Sequence, residues 1–386
     1  MTKGPAERAG TKAETAGTKA ETAERAESAE KCLRHIKPAV RALRAYTLAA
    51  RPAPIKLNQN ENPFDVPEAL KLRVVGQALA RPWSRYPDFD PRELVEALAR
   101  FSGWRADGIL AGNGSNELIE ALLLATVGER TRVVIPEPTF TLYALLTGIL
   151  GGTSVRVPLD VDLEYDGEAL SRAGRESNAS VTIVCSPNNP TGGVLAVGDL
   201  RRLCAESDSL VVVDEAYHEF SGQTAVPLLS EHANLVVLRT FSKAMGSAGL
   251  RVGYLLASPE IVREVNKTRL PYSLNFFSQA AALAVLDEAP ALSEVVGRLI
   301  ALRDQLARDL AALPGVRVFP SRANFILFEL SEKDPRRVFE DLYTRGVLVR
   351  DVTAYPRLER CLRVSVGNQD ENAAFLRALR ESLGAR

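Results

Sequence analysis

Four short runs of branched apolar residues recur in the middle of this chain, with helical or loop segments between them. They cover residues 132–135, 181–185, 210–213 and 235–238, and residues 254–257 form a candidate fifth. Apolar strands that alternate with helices predict a mostly parallel sheet sandwiched by helices, because such strands are buried on both faces. The predicted fold class is therefore α/β, with a large sheet domain.

Each of the first four runs is followed by residues that can carry chemistry. Phe140 follows the first run and Asn189 the second, Asp214 and Tyr217 follow the third, and Lys243 follows the fourth. Ligands of parallel sheets bind beyond the carboxyl ends of the strands. The pattern therefore predicts that these side chains meet in one site.

Lys243 lies between Ser242 and a run of small residues, and Arg251 follows eight positions later. A lysine amine becomes a covalent catalyst when a pocket lowers its pKa and an aldehyde cofactor condenses with it, and pyridoxal phosphate is the commonest such partner. Ser242 and Arg251 would then bind the cofactor's phosphate. For an isolated Ser-Lys pair, an exposed lysine before a glycine-rich turn is the better interpretation. The residues at the other strand ends favour the catalytic interpretation of Lys243.

Asp214 ends an all-valine strand, where a carboxylate costs free energy unless a positive group pairs with it. A protonated pyridine nitrogen is such a group, and this pairing makes the cofactor a stronger electron sink. Tyr217 and Asn189 could hydrogen-bond the ring's phenolic oxygen. Helix N-capping is the alternative role for Asp214. Phe140 could stack on the ring, although a phenylalanine after a turn is more often core.

The segment 110–119 is interpreted as a loop that leads into an apolar helix ending near Val127. Free amides at Gly114, Ser115 and Asn116 would suit a cofactor phosphate at the helix start. A simple N-cap by Ser115 or Asn116 is an equally good interpretation. The segment is not a dinucleotide fingerprint, because Glu117 replaces the third glycine, and it lacks the Gly-Lys-Ser/Thr of a Walker loop.

Composition restricts the possible partners. The 48 Lys and Arg residues balance the 48 Asp and Glu residues, so neither nucleic acid nor an anionic membrane is expected. The most apolar window, residues 140–152, is too short to span a bilayer. The four cysteines show no metal-ligand spacing and no disulfide framework, which suits a reducing cytoplasm. A small molecule is the expected partner, and no metal is expected.

A length of 386 residues predicts two domains. Residues 1–35 are expected to be a disordered or fraying tail, because residues 2–31 contain no aliphatic residue larger than alanine and a heptapeptide repeats at 9–15 and 16–22. Residues 36–80 are assigned to an arm and part of the small domain, and residues 81–278 to the large domain. Residues 279–386 form the small α+β domain, with a helix at 291–313 and strands at 316–319, 324–328, 347–349 and 362–366.

Arg350 and Arg363 are placed at strand ends in this second domain. An arginine flanked by aliphatic residues is often a surface residue. A substrate with an anionic group would instead favour a binding role. The sequence leaves these two interpretations about even.

Five motifs occur together in a particular order: LNQNENP at 57–63, RYPD at 85–88, SPNNPTG at 186–192, DEAY at 214–217, and SK at 242–243 followed by GLRVGY at 249–254. With these motifs the chain resembles the fold-type I pyridoxal-phosphate aminotransferases over residues 40 to 380. Within that class it is similar to the histidinol-phosphate aminotransferases. The arm and the RYPD turn carry most of the weight for that subfamily.

The resemblance implies roles for individual residues. Lys243 would be the Schiff-base lysine and proton carrier, Asp214 would pair with the pyridine nitrogen, and Asn189 and Tyr217 would hold the phenolic oxygen. The phosphate would be held by Ser242, Arg251, the amides near Gly114 and Ser115, and Tyr86 from the neighbouring subunit of a homodimer. Arg363 would bind the carboxylate of glutamate and the phosphate of histidinol phosphate in turn, with Tyr46, Asn60 and Arg350 nearby. A ping-pong cycle with 2-oxoglutarate would follow.

The chain departs from the common pattern at three positions. Phe140 stands where a tyrosine is common, and Met245 and Ser247 stand where larger apolar residues are usual. These departures bear on fine specificity. Three alternatives stay open: an aromatic amino-acid aminotransferase, a decarboxylase of a phosphorylated amino acid, and a non-catalytic cofactor-sensing module of a transcription regulator. The last ranks lowest, because residues 1–40 hold neither a helix-turn-helix pattern nor net positive charge.

Overall fold

The computed structural model describes residues 30–43 and 51–384. By its internal contacts the chain divides into residues 1–49 and residues 50–386. In the first unit a short helix covers Pro38–Arg41. Most of the predicted tail, and Tyr46 with it, lies outside the described residues. The second unit carries both sheets of the predicted architecture.

A seven-stranded sheet forms the larger part of the second unit. Its spatial order is β2-β8-β7-β6-β5-β3-β4. Neighbouring strands are parallel except where β8 pairs antiparallel with β7 and with β2. The strands are β2 Ile109–Gly112, β3 Arg132–Glu137, β4 Thr153–Pro158, β5 Val181–Cys185, β6 Leu210–Asp214, β7 Leu235–Thr240 and β8 Gly253–Leu256. The predicted mostly parallel sheet is confirmed.

Burial explains which strands the sequence revealed. Strands β5 and β7 are buried along their whole length, so apolar residues predominate in both. Strand β4 lies at the edge of the sheet and is exposed or half-buried at every position but one, so its sequence lacks the continuous apolar run of a buried strand and was not predicted. The prediction of a loop at residues 110–112 is wrong, because these residues end β2. A strand of four residues leaves little periodicity to detect.

Helices cover both faces of this sheet, and the strands contribute side chains to two apolar clusters that also contain helix residues. The predicted helix at 291–313 is confirmed as Ala289–Ala311. None of the helices in the described part of the chain combines the length and apolar character needed to cross a bilayer. The remaining helices are Glu68–Leu79, Arg92–Ser102, Ser115–Thr126, Leu142–Ile149, Gly167–Ser177, Val197–Glu206, His218–Ser221, Pro259–Asn266, Phe276–Asp287, Pro335–Thr344 and Gln369–Leu383.

A smaller antiparallel sheet has the order β12-β13-β10-β9, and β1 pairs with β11 in parallel. An apolar cluster lies between these strands and the helices Ala289–Ala311, Pro335–Thr344 and Gln369–Leu383. The last helix begins with a capping box between Asn368 and Glu371. The strands are β1 Ile55–Lys56, β9 Val316–Val318, β10 Phe325–Leu330, β11 Val347–Leu348, β12 Arg350–Asp351 and β13 Cys361–Ser365.

Candidate active site

Lys243 lies in the loop that follows β7. Its Nζ donates a hydrogen bond to the backbone carbonyl of Gln59 at 2.9 Å. It also lies 5.8 Å from the centre of the Tyr217 ring. The amine therefore sits between the arm that follows β1 and the residues that follow β6.

The surroundings of Lys243 favour its neutral form. Burial, helped by the positive charges of Arg363 and Arg251 and opposed by Glu61, lowers the pKa of its amine from the ordinary 10.5 to about 8. A neutral amine is both the nucleophile and the proton acceptor that lysine chemistry requires. The pKa places that form within reach of physiological pH.

In the ligand-free protein, the reaction of Lys243 with an amine-selective reagent is expected to rise with a midpoint near pH 8. An ordinary lysine would show its midpoint near 10.5. The measurement is the rate of modification of the peptide that contains Lys243, followed by mass spectrometry from pH 6 to 11. Peptides with exposed lysines serve as internal references. A midpoint above 10 would contradict the assigned environment.

Asp214 ends β6 and is buried. It accepts hydrogen bonds from the Tyr143 hydroxyl at 2.7 Å and from the Ala216 amide at 3.1 Å. Burial raises the pKa of this carboxyl, and the bond from Tyr143 opposes that rise. Both donors are neutral, so the carboxylate is well placed to receive a cationic ligand group.

The helix-cap alternative for Asp214 is wrong. The next helix begins at His218, and its N-cap residue is Tyr217. Tyr143, which donates to Asp214, was missed by the sequence analysis. It is fully buried in the helix Leu142–Ile149, and the edge of its ring meets Phe140 with the ring centres 5.5 Å apart. No local pattern links it to Asp214, because the two residues are 71 positions apart.

Tyr217 is buried beside Lys243, and burial raises the pKa of its phenol. Its Oη accepts a hydrogen bond from Asn60 Nδ2 at 3.0 Å. Asn60, in the arm after β1, is buried and has a φ of 55°, which asparagine tolerates better than most residues. The arm therefore brings a predicted substrate residue into contact with a predicted cofactor residue.

Ser242, Arg251 and Gly114 lie together at one end of the sheet. Arg251 Nη1 donates to Ser242 Oγ at 3.2 Å. A Cβ atom at Gly114 would lie 2.5 Å from Arg251 Nη2, so the guanidinium passes directly over this glycine. Gly114 has a φ of 82°, a conformation that favours glycine. Hydroxyl, guanidinium and helix start form a set of donors suited to a phosphate.

Gly114 is the N-cap residue of the helix Ser115–Thr126, and no side chain caps that end. The interpretation of Ser115 or Asn116 as the N-cap is therefore wrong. Ser115 is buried and Asn116 is exposed, both in the first turn. The amides of this uncapped helix start carry a partial positive charge, and Gly114 lies against the Arg251 guanidinium.

Arg363 lies in the middle of β13 and is buried, so its predicted position at a strand end and its surface interpretation are both wrong. It donates to the side-chain oxygen of Asn189 and to the carbonyl of Asn58. Arg350, at the start of β12, is directly opposite Arg363 in the antiparallel pair. Directly opposed residues point to the same face, so the two arginines share one side of the sheet.

Two predicted site residues are less closely associated with this cluster. Among the described residues, the ring of Phe140 contacts one other aromatic ring, that of Tyr143. Tyr86 is 81% exposed and stacks on Tyr272, with the ring centres 4.7 Å apart. The position of Tyr86 is that of a residue which could reach another molecule.

Comparison with known proteins gives a consistent family relationship. The family model for aminotransferase class I and II matches residues 52–379. Histidinol-phosphate aminotransferase from Chlorobium phaeovibrioides is 40% identical over 349 residues, which cover 90% of this chain and 96% of that protein. The enzyme of the same name from Desulfitobacterium hafniense is 39% identical over 353 residues, covering 90% of this chain and 97% of that protein.

A solved structure agrees with these relatives. Histidinol-phosphate aminotransferase from Sinorhizobium meliloti, in complex with pyridoxal-5'-phosphate, superposes with a TM-score of 0.83. The match covers 91% of this chain and 98% of that chain at 27% identity. The chain is therefore similar, in sequence and in structure, to proteins named histidinol-phosphate aminotransferase.

Proposed function

This chain belongs to the aminotransferase class I and II family, and we propose that its site performs the reaction of a histidinol-phosphate aminotransferase. It exchanges an amino group between L-histidinol phosphate and 2-oxoglutarate, in histidine biosynthesis, and its cofactor is pyridoxal 5'-phosphate. The observation that carries this proposal is that Lys243 lies over the Tyr217 ring and that Asp214 is near enough to interact electrostatically with both, in a chain with relatives near 40% identity over 90% of its length.

The donor set of the site fits this cofactor. Asp214 is a buried carboxylate whose hydrogen-bond donors are neutral, as a pyridinium partner requires. The hydroxyl of Ser242, the guanidinium of Arg251 and the uncapped helix start at Gly114 offer a phosphate several donors. Lys243 interacts electrostatically with both Asp214 and Arg251, and its lowered pKa makes the neutral amine available. These features support our assignment of the cofactor-binding residues.

Bound pyridoxal phosphate supplies an aldehyde that condenses with amines and a ring that accepts an electron pair. Lys243 Nζ takes a proton from the substrate carbon and returns it, because its lowered pKa balances the two transfers near neutral pH. Asp214 keeps a negative charge at the buried end of the site. Tyr217 Oη accepts a hydrogen bond from Asn60 Nδ2, so the phenol's own proton is left to donate to another acceptor.

Arg363 and Arg350 give the substrate side of the site its charge. They lie opposite each other on one face of the small sheet, and Arg363 also contacts Asn189. A guanidinium matches a carboxylate or a phosphate monoester with two parallel bonds. One arginine can therefore serve both substrates in turn, which supports a ping-pong order.

The test of this function is a half-reaction. Histidinol phosphate added without a keto acid is expected to change the visible absorbance of the bound cofactor, and 2-oxoglutarate is expected to restore it. Phenylalanine should produce the same change far more slowly. Release of carbon dioxide without use of 2-oxoglutarate, or faster turnover of phenylalanine, would contradict the proposal.

A homodimer with shared sites is part of the proposal. Tyr86, Phe89 and Tyr272 form an exposed aromatic patch, in which Tyr272 stacks on Tyr86 and meets the edge of Phe89. Leu79, Trp83 and Leu270 are further exposed apolar residues, each more than 60% exposed. Apolar exposure of this kind is typical of an interface with another protein surface. We assign it to a second copy of this chain, and Tyr86 to the phosphate end of that copy's site.

Shared sites predict that two inactive variants restore each other. In a mixed dimer of Tyr86→Ala and Lys243→Ala, one site lacks both side chains and the other has both. Random mixing should therefore recover about a quarter of the wild-type activity per site, because half of the dimers are mixed and each has one intact site. The measurement is transamination after joint refolding, with each variant alone as the control. No recovery in confirmed mixed dimers would refute shared sites.

We also propose the domain boundaries given above and a cytoplasmic location. The large sheet lies within residues 81–278 and the small sheet within 279–386, which supports those domains. Pairing of β1 with β11 supports assigning the segment around residue 55 to the small domain. All four cysteines are free thiols, as expected of a cytoplasmic protein.

A further inference from the structure

A buried chain of hydrogen bonds links the small sheet to Tyr217. Ser365 Oγ accepts from the Asn60 backbone amide at 2.8 Å and donates to Asn60 Oδ1 at 3.2 Å. Asn60 Nδ2 donates to Tyr217 Oη at 3.0 Å. Ser365, Asn60 and Tyr217 are all at most 4% exposed. Water therefore has little access with which to replace any of these bonds.

The direction of these hydrogen bonds decides whether Tyr217 can donate its own proton to another acceptor. An amide nitrogen only donates, so Tyr217 Oη must act as the acceptor toward Asn60. The phenol then keeps its own proton for another acceptor. If the amide of Asn60 were turned over, its oxygen would face Tyr217, and the phenol would donate its hydrogen bond to Asn60.

Ser365 determines which way the amide of Asn60 points. The Ser365 hydroxyl accepts from a backbone amide, so its single proton is left for Asn60 Oδ1. With the amide turned over, that proton would face a nitrogen that accepts nothing. A buried hydroxyl without an acceptor costs free energy, so the observed orientation is favoured.

The same strand carries the arginine of the substrate side. Arg363 and Ser365 are two positions apart on β13, so they point to the same face of the sheet. Phe325 is directly opposite Ser365, and the edge of the Tyr217 ring meets the Phe325 ring with the centres 5.2 Å apart. Arg363 lies over the same Phe325 ring at 5.1 Å. The substrate arginine and the residues that contact Tyr217 therefore lie on the paired strands β10 and β13.

We propose that Ser365 is a positioning residue which, through the Asn60 amide, leaves the Tyr217 proton free for the phenolic oxygen of the cofactor. This inference rests on the proposed function, because it takes the role of Tyr217 from there. The segment 58–60 and β13 thus contribute to the cofactor side of the site as well as to the substrate side.

Other charged or titratable groups also face Tyr217 and bear on its hydrogen bond. Arg363 favours the ionised phenol, while Asp214 and Cys185 oppose it. The Lys243 amine lies over the ring. A test must therefore isolate the contribution of Ser365 from theirs, which a double-variant comparison does.

The experiment is a pH titration of the visible absorbance of holoenzyme prepared with pyridoxal phosphate. A hydrogen bond from Tyr217 favours the deprotonated phenolic oxygen, so its loss raises the titration midpoint. Ser365→Ala is expected to raise the midpoint by about half to one pH unit, and to weaken cofactor affinity about fivefold. In a Tyr217→Phe background, Ser365→Ala should change neither quantity.

Two further variants complete the design. Ser171→Ala, which truncates a buried serine in the helix Gly167–Ser177, should leave the midpoint unchanged. Ser365→Cys fills the same space with a weaker donor and should shift the midpoint in the same direction, so it replaces Ser365→Ala if that variant does not fold. An unchanged midpoint at position 365, or an equal shift in both backgrounds, would overturn the role of Ser365. Failure of the wild-type protein to bind the cofactor or transaminate would instead overturn the proposed function.

Discussion

Lys243→Ala is expected to lower transamination by about 10⁴-fold or more while the protein stays folded, because no other side chain described in the site supplies both the nucleophile and the proton carrier. Borohydride should fix the cofactor covalently onto the wild-type peptide that contains Lys243, and should fix none onto this variant. The measurements are steady-state turnover and mass spectrometry of the reduced protein. Full turnover in the variant would refute the role of this lysine.

The same substitution is expected to preserve, or slightly raise, the stability of the cofactor-free protein at pH 7. The folded-state pKa of Lys243, about 8, lies below the ordinary 10.5, so the charged amine is disfavoured by folding. This destabilisation is fully present below pH 8 and disappears as the pH rises through 10.5. Thermal unfolding at pH 7 and pH 10 tests this. Lys267→Ala, at an exposed lysine, is the control for both activity and stability.

Asp214→Asn is expected to lower kcat/KM by about 10²- to 10³-fold, the usual effect of removing one preorganised electrostatic contact from a site. Asparagine keeps the shape of the residue and can still accept the bond from Tyr143. It lacks the negative charge that would hold a proton on the cofactor's ring nitrogen. The measurement is kcat/KM for histidinol phosphate, with Asp208→Asn at an exposed position as the control. A loss of less than about threefold would contradict the role of Asp214.

Asp214→Asn is expected to lower kcat/KM without lowering the stability of the cofactor-free protein. Burial raises the folded-state pKa of Asp214 above its ordinary 3.8, so ionisation of this carboxyl disfavours the folded state. The cost is absent below pH 3.8 and grows as the pH rises through the folded pKa. Asp214→Asn should therefore be at least as stable as the wild type at pH 7, with a smaller difference near pH 4. A variant that unfolds more easily at pH 7 would contradict this.

Much of the fold and part of the site could be predicted from the sequence for a local reason. The runs that became β3, β5, β6 and β7 are apolar because each strand is covered on both faces. Their carboxyl ends must lie on one edge of a parallel sheet, so Asp214 and Lys243 could be placed together before any contact was known. Strand β4, at the edge and partly exposed, lacked this signal.

Contacts between distant segments could not be predicted in this way. Tyr143 meets Asp214 across 71 positions, and Asn60 meets Ser365 across 305. Sequence periodicity describes which face of an element is buried, but it says nothing of which neighbour lies against that face. Arg363 shows the same limit, because its position inside a buried strand became clear only when β12 and β10 were placed on either side of it.

The sequence by itself determined the type of most major elements and the chemistry at the strand ends, because burial and backbone geometry act over a few residues. The tertiary structure alone decided the direction of β8, the partner of Asp214 and the path from Ser365 to Tyr217. Those features depend on the order of strands and on the docking of the arm. Both arise from packing between segments far apart in the chain, where a single residue's identity carries little information.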